Sequence, residues 1–146
     1  MANTAYLNSI IKDLTDVLWE EHGTGAKYRT TLVGVEYFVD KYADKLTKDD
    51  IGCTVTAVID ILKKEELISD ATFEQEDFVL KVKFKSCVHL ETEKQLLDSN
   101  IKIINCPCAN IVMHFIDNLI GKYSELVNVD IDQDECTATI CMMKSD

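Results

Sequence analysis

The hydrophobic period of this chain is 3.6 residues over the first 66 positions and then becomes 2 over two stretches separated by further helical spacing. A chain patterned in that way has to place helices against a sheet. Leu7, Ile10, Ile11, Leu14, Val17 and Leu18 recur at helical spacing opposite Lys12, Asp13, Asp16 and Glu20, which predicts an amphipathic helix over about 4–21, ended by "HGTG". In "AKYRTTLVGVEYFVDKYADKL", Tyr28, Leu32, Val35, Val39, Tyr42 and Leu46 form a second stripe with Gly34 inside it. Glycine costs about 1 kcal/mol against alanine within a helix, so another backbone or a ligand is expected close to Gly34. "TKDD" reads as a capping box from Thr47 to Asp50, opening a third helix through Ile51, Val55, Val58, Ile59 and Leu62.

The period then becomes 2. Phe78, Leu80, Val82 and Phe84 alternate with Val79, Lys81, Lys83 and Lys85, and "ISDATFEQ" is the expected hairpin partner, turned by "QED". A short helix near "ETEKQLLDS" and an extended "IKII" lead to a fifth helix through Ile111, Val112, Phe115, Ile116, Leu119 and Ile120, closed by Gly121. Two strands follow: "ELVNVDID", alternating through Val127, Val129 and Ile131, and "CTATICMM", through Cys136, Ala138, Ile140 and Met142, with "DQDE" as the turn. The expected fold is α+β: N-terminal helices packed on an antiparallel sheet made of two hairpins separated by a helix. The 146 residues read as a single domain, without repeat or linker; a chain that long buries about 70% of its unfolded surface and needs no disulfides.

Charge narrows the partners. The net charge is −11, with fourteen lysines and one arginine, Arg29, so a nucleic-acid backbone or anionic membrane would be repelled. The first residues lack a basic start and a long apolar run, and no stretch reaches the roughly 20 apolar residues that cross a bilayer. A cytoplasmic protein is expected, where six cysteines are thiols or metal ligands more often than disulfides.

Two of them, in "NCPCAN", flank the only proline. Proline suits the first helical position, which makes Cys106 the N-cap and puts Cys108 in the first turn, where free N–H groups and the helix dipole lower a thiol pKa. Cys108 also falls in phase with Ile111, Val112 and Phe115, so both thiols are readable as metal ligands, as a reactive pair, or as small core residues. Cys87 and His89 stand two apart at a strand end and would leave the same face. Cys136 starts the last strand beside Asp132, Asp134 and Glu135; strict alternation puts Cys136 and Cys141 on opposite faces, so they share an ion only if a bulge intervenes. His114 groups with Asn110, Asp117 and Asn118 as a solvated helix face, and Trp19 and the tyrosines read as core or dimer contacts.

"AVIDILKKEELI", the valine-rich strand and "CPCANIVMHFIDNLIGKYSELVNVDIDQDECTATICMM" together resemble the 4-vinyl-reductase or hydrocarbon-binding domain family over about residues 50–143. The resemblance implies a zinc ion held by Cys106, Cys136, Cys141 and an acid. It also implies an apolar cavity between helices and sheet for a small aromatic or hydrocarbon ligand, which Gly34, Phe84 and Phe115 would line. Gln133 stands where the family has a glutamate, so Asp132 or Glu135 is the acid on offer, and Cys108 is an additional thiol ligand. Cys87 and His89 are second-choice ligands. The expected function is a small-molecule-binding or sensing protein, homodimeric, with a cysteine-rich zinc site. The alternatives are a thiol- or iron-based redox sensor, with iron or an iron–sulfur cluster as cofactor, and a cysteine enzyme in which His89 or His114 serves Cys106 as base.

Overall fold

A computed structural model describes residues 4–23, 25, 30–47, 50–103 and 105–144. It is α+β: helices come first, then a four-stranded antiparallel sheet, with helices between the two strand pairs. Helix α1 spans Thr4–His22, α2 Glu36–Tyr42 and α3 Ile51–Lys64; β1 is Asp70–Glu76, β2 Val79–Lys85, α4 Leu90–Asp98, α5 Pro107–Ile120, β3 Lys122–Asp132 and β4 Glu135–Lys144. The sheet order is β1-β2-β4-β3, so the two hairpins join through β2 and β4, in register from Val79↔Cys141 to Lys85↔Glu135. No helix among the described residues is long and apolar enough to cross a membrane.

Alternation decides which face is covered. Val82, Ala138 and Val129 lie abreast on the inner face, as do Phe84, Cys136 and Ile131, and α3 and α5 pack over this side of the sheet. Lys81, Lys83, Thr137 and Thr139 occupy the outer face. The expected alternation fails at two places. Phe78 lies in the β1–β2 turn behind Asp77, whose φ is +53°, and is 60% exposed; its carbonyl accepts from Met142 N–H. Val127 sits in a β-bulge, where the register steps from Leu126 to Asn128, and is turned out to solvent.

The second helix is shorter than its stripe suggests. Thr30–Val35 forms turns, with Val33 N–H bonded to Thr30 O and Val35 N–H to Leu32 O, before α2 begins; Tyr28 lies outside the described residues. The cause is tertiary. Asn110 of α5 donates its amide N–H groups to Thr30 O at 2.9 Å and Val33 O at 3.1 Å, drawing this segment onto α5. Gly34 has φ +81°, and a Cβ there would stand 3.0 Å from Cβ of Pro107. The close neighbour of Gly34 is therefore the start of α5. Gly34→Ala is expected to cost about 1–3 kcal/mol, the usual range for a strained left-handed residue; an unchanged urea midpoint would show that the segment gives way freely.

Local signals set the other ends. Asp50, not Thr47, caps α3: its carboxylate accepts Cys53 N–H at 2.7 Å. Helix α5 starts with Pro107 at its first position behind the N-cap Cys106 and stops at left-handed Gly121, φ +75°. Helix α1 packs against α4, yet Leu7, Ile10, Leu14 and Val17 of its apolar stripe remain exposed.

Candidate functional site

Four thiols from separate parts of the chain meet at one end of the sheet. Cys87 leaves β2 through a turn in which Ser86 takes φ +54° and Leu90 N–H bonds Cys87 O at 3.0 Å. Cys136, second residue of β4, points to the inner face beside Phe84. Cys106 and Cys108 come from the start of α5, and all four are buried and free of disulfides. The sulfurs of Cys87 and Cys108 are 3.7 Å apart, and Cys136 interacts with both Cys106 and Cys87.

Cys87 is drawn toward ionisation. Cys108, then Cys136, turn S–H groups toward it, and His89 N–H donates to its sulfur at 3.4 Å, so its pKa lies far below the ordinary thiol value. The donors move the other way. Cys108 and Cys136 are pushed up, first because their protons are shared with neighbouring sulfurs and then by burial. For Cys108 this reverses the expectation from its place in the first turn of α5: the crowd of sulfurs outweighs the helix dipole. Burial lowers the pKa of the His89 imidazole, and the nearby Cys87 charge opposes that shift.

Sequence reasoning missed Glu93. It stands in the first turn of α4, only 2% exposed, and among the described residues no conventional N–H or O–H donor reaches either carboxylate oxygen, the Cys136 thiol being its polar neighbour. Burial, followed by the charge on Cys87, pushes its pKa up to about 8. A signal was available: Glu93 falls three residues from both Leu90 and Leu96, on the apolar stripe of a helix whose other acids are free to face water.

Other expected ligands lie apart from this cluster. Cys141 faces the outer side of the sheet, opposite Val79 and Glu125, because β4 runs without a bulge from Cys136 to Cys141. Asp132 and Glu135 pair across the β3–β4 turn, out of phase with Cys136; Asp132 is exposed and Glu135 reaches Lys83 at 3.7 Å. His114 is eight residues beyond Cys106, about 12 Å along the helix, with its ring near Asn118 instead. Its neighbour Asn110, grouped with the solvated face by its spacing, is buried. Phe84 and Phe115 are packed core residues. A cleft of about 210 Å³ opens away from these residues, between α5 and β3.

The donors are chemically suited to a soft divalent cation: thiols, one already inclined to ionise, beside a buried carboxyl that neighbours Cys87 and Cys136. As the side chains stand, no group of three or more His, Cys, Asp or Glu among the described residues is arranged to hold a metal ion. No family model matches the chain, and no curated protein or solved structure does either.

Proposed function

We propose that this protein is a small-molecule-binding module whose helices are tied to its sheet by one zinc ion among Cys87, Cys106, Cys108 and Cys136. The observation that carries the reading is the meeting of these four buried thiols beside the buried carboxyl of Glu93. Four thiolates suit a closed structural zinc site, and sulfurs at the corners of a tetrahedron with bonds of about 2.3 Å stand about 3.8 Å apart. The Cys87–Cys108 separation of 3.7 Å is close to that edge; binding would need side-chain rotation to bring the remaining sulfurs to theirs. The ligand is a small and largely apolar molecule, and the cleft between α5 and β3 accommodates it. Six cysteines, none in a disulfide, suit a reducing compartment, the cytoplasm.

Elemental analysis of protein purified without a metal-affinity tag, together with a thiol count, tests the metal site. About one zinc per chain with four protected thiols is the expected result. Six titratable thiols and no metal would overturn it and favour a redox role for the Cys87–Cys108 pair. Iron with visible absorption would replace zinc by an electron-transfer centre.

The module is a homodimer. Leu7, Ile10, Leu14 and Val17 follow the 3-4-3 spacing of a two-helix seam and are exposed, Leu14 at 61% and Val17 at 55%. A second copy of α1 supplies a matching stripe. Leu14→Glu combined with Val17→Glu is expected to yield a monomer by light scattering with unchanged far-ultraviolet circular dichroism. A wild-type protein that is monomeric at 100 μM would remove the dimer.

A further inference from the structure

Within the thiol cluster, one sulfur differs from the rest in access. Cys87 is 6% exposed, whereas Cys106, Cys108 and Cys136 are each 0% exposed. A small oxidant arriving from solvent therefore meets Cys87 first. The sulfur of Cys108 lies 3.7 Å from it, across 21 residues of chain. A disulfide holds its sulfurs about 2.05 Å apart, so this pair has to close by about 1.7 Å. The backbone on both sides is pinned: Ser86 N–H bonds Asp134 O at 2.8 Å, Val88 N–H bonds Leu67 O at 2.9 Å, and Asn110 N–H bonds Cys106 O at 2.8 Å. Closure thus falls on rotation of the two side chains, and it gives up the long His89 N–H contact to Cys87 Sγ at 3.4 Å.

We propose that Cys87 and Cys108 form a peroxide-responsive pair whose oxidation to a disulfide empties the zinc site. The Cys87 sulfur attacks one oxygen of hydrogen peroxide, the O–O bond breaks, and a sulfenic acid and one water result. The Cys108 sulfur then attacks the sulfenic sulfur. The S–S bond forms, the S–O bond breaks, and the hydroxyl leaves as water, taking the Cys108 proton in the metal-free chain and a solvent proton where the thiolate is zinc-bound. In all, two thiols lose two electrons and one peroxide becomes two waters. Cys106 and Cys136 remain, too few for a closed zinc site of four thiolates. The disulfide rests on the sulfur contact, and its consequence for zinc rests on the metal-site reading above.

The test is peroxide treatment of the full chain, as purified and after chelation, followed by alkylation, tryptic digestion without reductant and mass spectrometry, with released zinc read by a chromophoric chelator. The expected product joins peptide 86–94, which carries Cys87, to peptide 103–122, which carries Cys106 and Cys108. Dithiothreitol should reverse it, and the zinc-loaded chain should release about one zinc per disulfide. Cys106→Ser and Cys108→Ser each remove one thiol from the cluster, so their structural costs are comparable. The first should still form the cross-link; the second should not, and should instead hold on Cys87 a sulfenic acid that dimedone captures. A cross-link to peptide 123–144, which carries Cys136 and Cys141, a cross-link that survives in Cys108→Ser, or none in either form overturns the pair. A zinc-loaded chain that forms the disulfide yet keeps its zinc overturns the release. A chain that never held zinc but forms the disulfide overturns the metal-site reading, and the release with it, while the pair stands.

Discussion

If the four thiols hold zinc as proposed, Cys136→Ser is expected to release it and lower the thermal midpoint by about 8–16 °C. At a free zinc concentration 1,000 times the dissociation constant, binding contributes about 4 kcal/mol to the folded state, and each kcal/mol moves the midpoint of a chain this size by about 2–4 °C. Cys136 is the informative position because it holds the sheet side of the cluster, interacting with both Cys106 and Cys87. A serine hydroxyl buried there has its own cost, so two comparisons accompany it. Chelation of the wild type should produce a drop of similar size with no change in sequence. Cys141→Ser, on the outer face, should do neither. A midpoint indifferent to chelator would leave the four thiols as core residues only.

Phe84→Ala is expected to cost about 3–5 kcal/mol, the range for deleting a fully buried aromatic ring. That is a large part of the 5–15 kcal/mol by which whole domains are stable. Phe84 is 0% exposed, lies abreast of Ala71 on β1 and Cys136 on β4, and belongs to the continuous core that α5 and α3 cover. In urea the midpoint should fall by at least about 1 M, given slopes of about 1–3 kcal/mol per molar. The same substitution separates core from cavity. A residue lining a ligand cavity would lose little stability and change ligand affinity; loss below about 1 kcal/mol would place Phe84 beside open space after all.

Features written in neighbouring residues were legible. Pro107 and Gly121 bracket α5 because a missing N–H and a left-handed cap act within one turn. The buried pattern of β4 reads directly as Cys136, Ala138, Ile140 and Met142. Features that depend on a partner were not. Thr30–Val35 carries a helical stripe, but Asn110 takes its carbonyls and Pro107 crowds Gly34. Val127 and Phe78 match the alternation, yet a bulge and a turn exclude them from the inner face, and neither shows until the register with β4 is known.

The candidate site divides along the same line. Cys106, Cys108 and Cys136 stand out by their spacing, and the structure brings them together with Cys87, whose strand-end position ranked it lower. Asp132 attracted notice through closeness in sequence to Cys136, but the turn between β3 and β4 faces it away. Glu93 is more than forty residues from Cys136 in sequence, and only the docking of α4 makes it a neighbour.

The sheet order also sets a timetable for assembly. Each hairpin closes locally, but β2 meets β4 across the 49 residues between Lys85 and Glu135, which include both α4 and α5. Long-range pairing of this kind is slow, since loop closure must precede any contact that rewards it. Cys87 and Cys136 become neighbours only at that step. The full thiol cluster is thus a product of nearly completed folding and cannot act as its nucleus: a nascent chain would hold Cys87, the Cys106–Cys108 segment and Cys136 apart until the two hairpins joined.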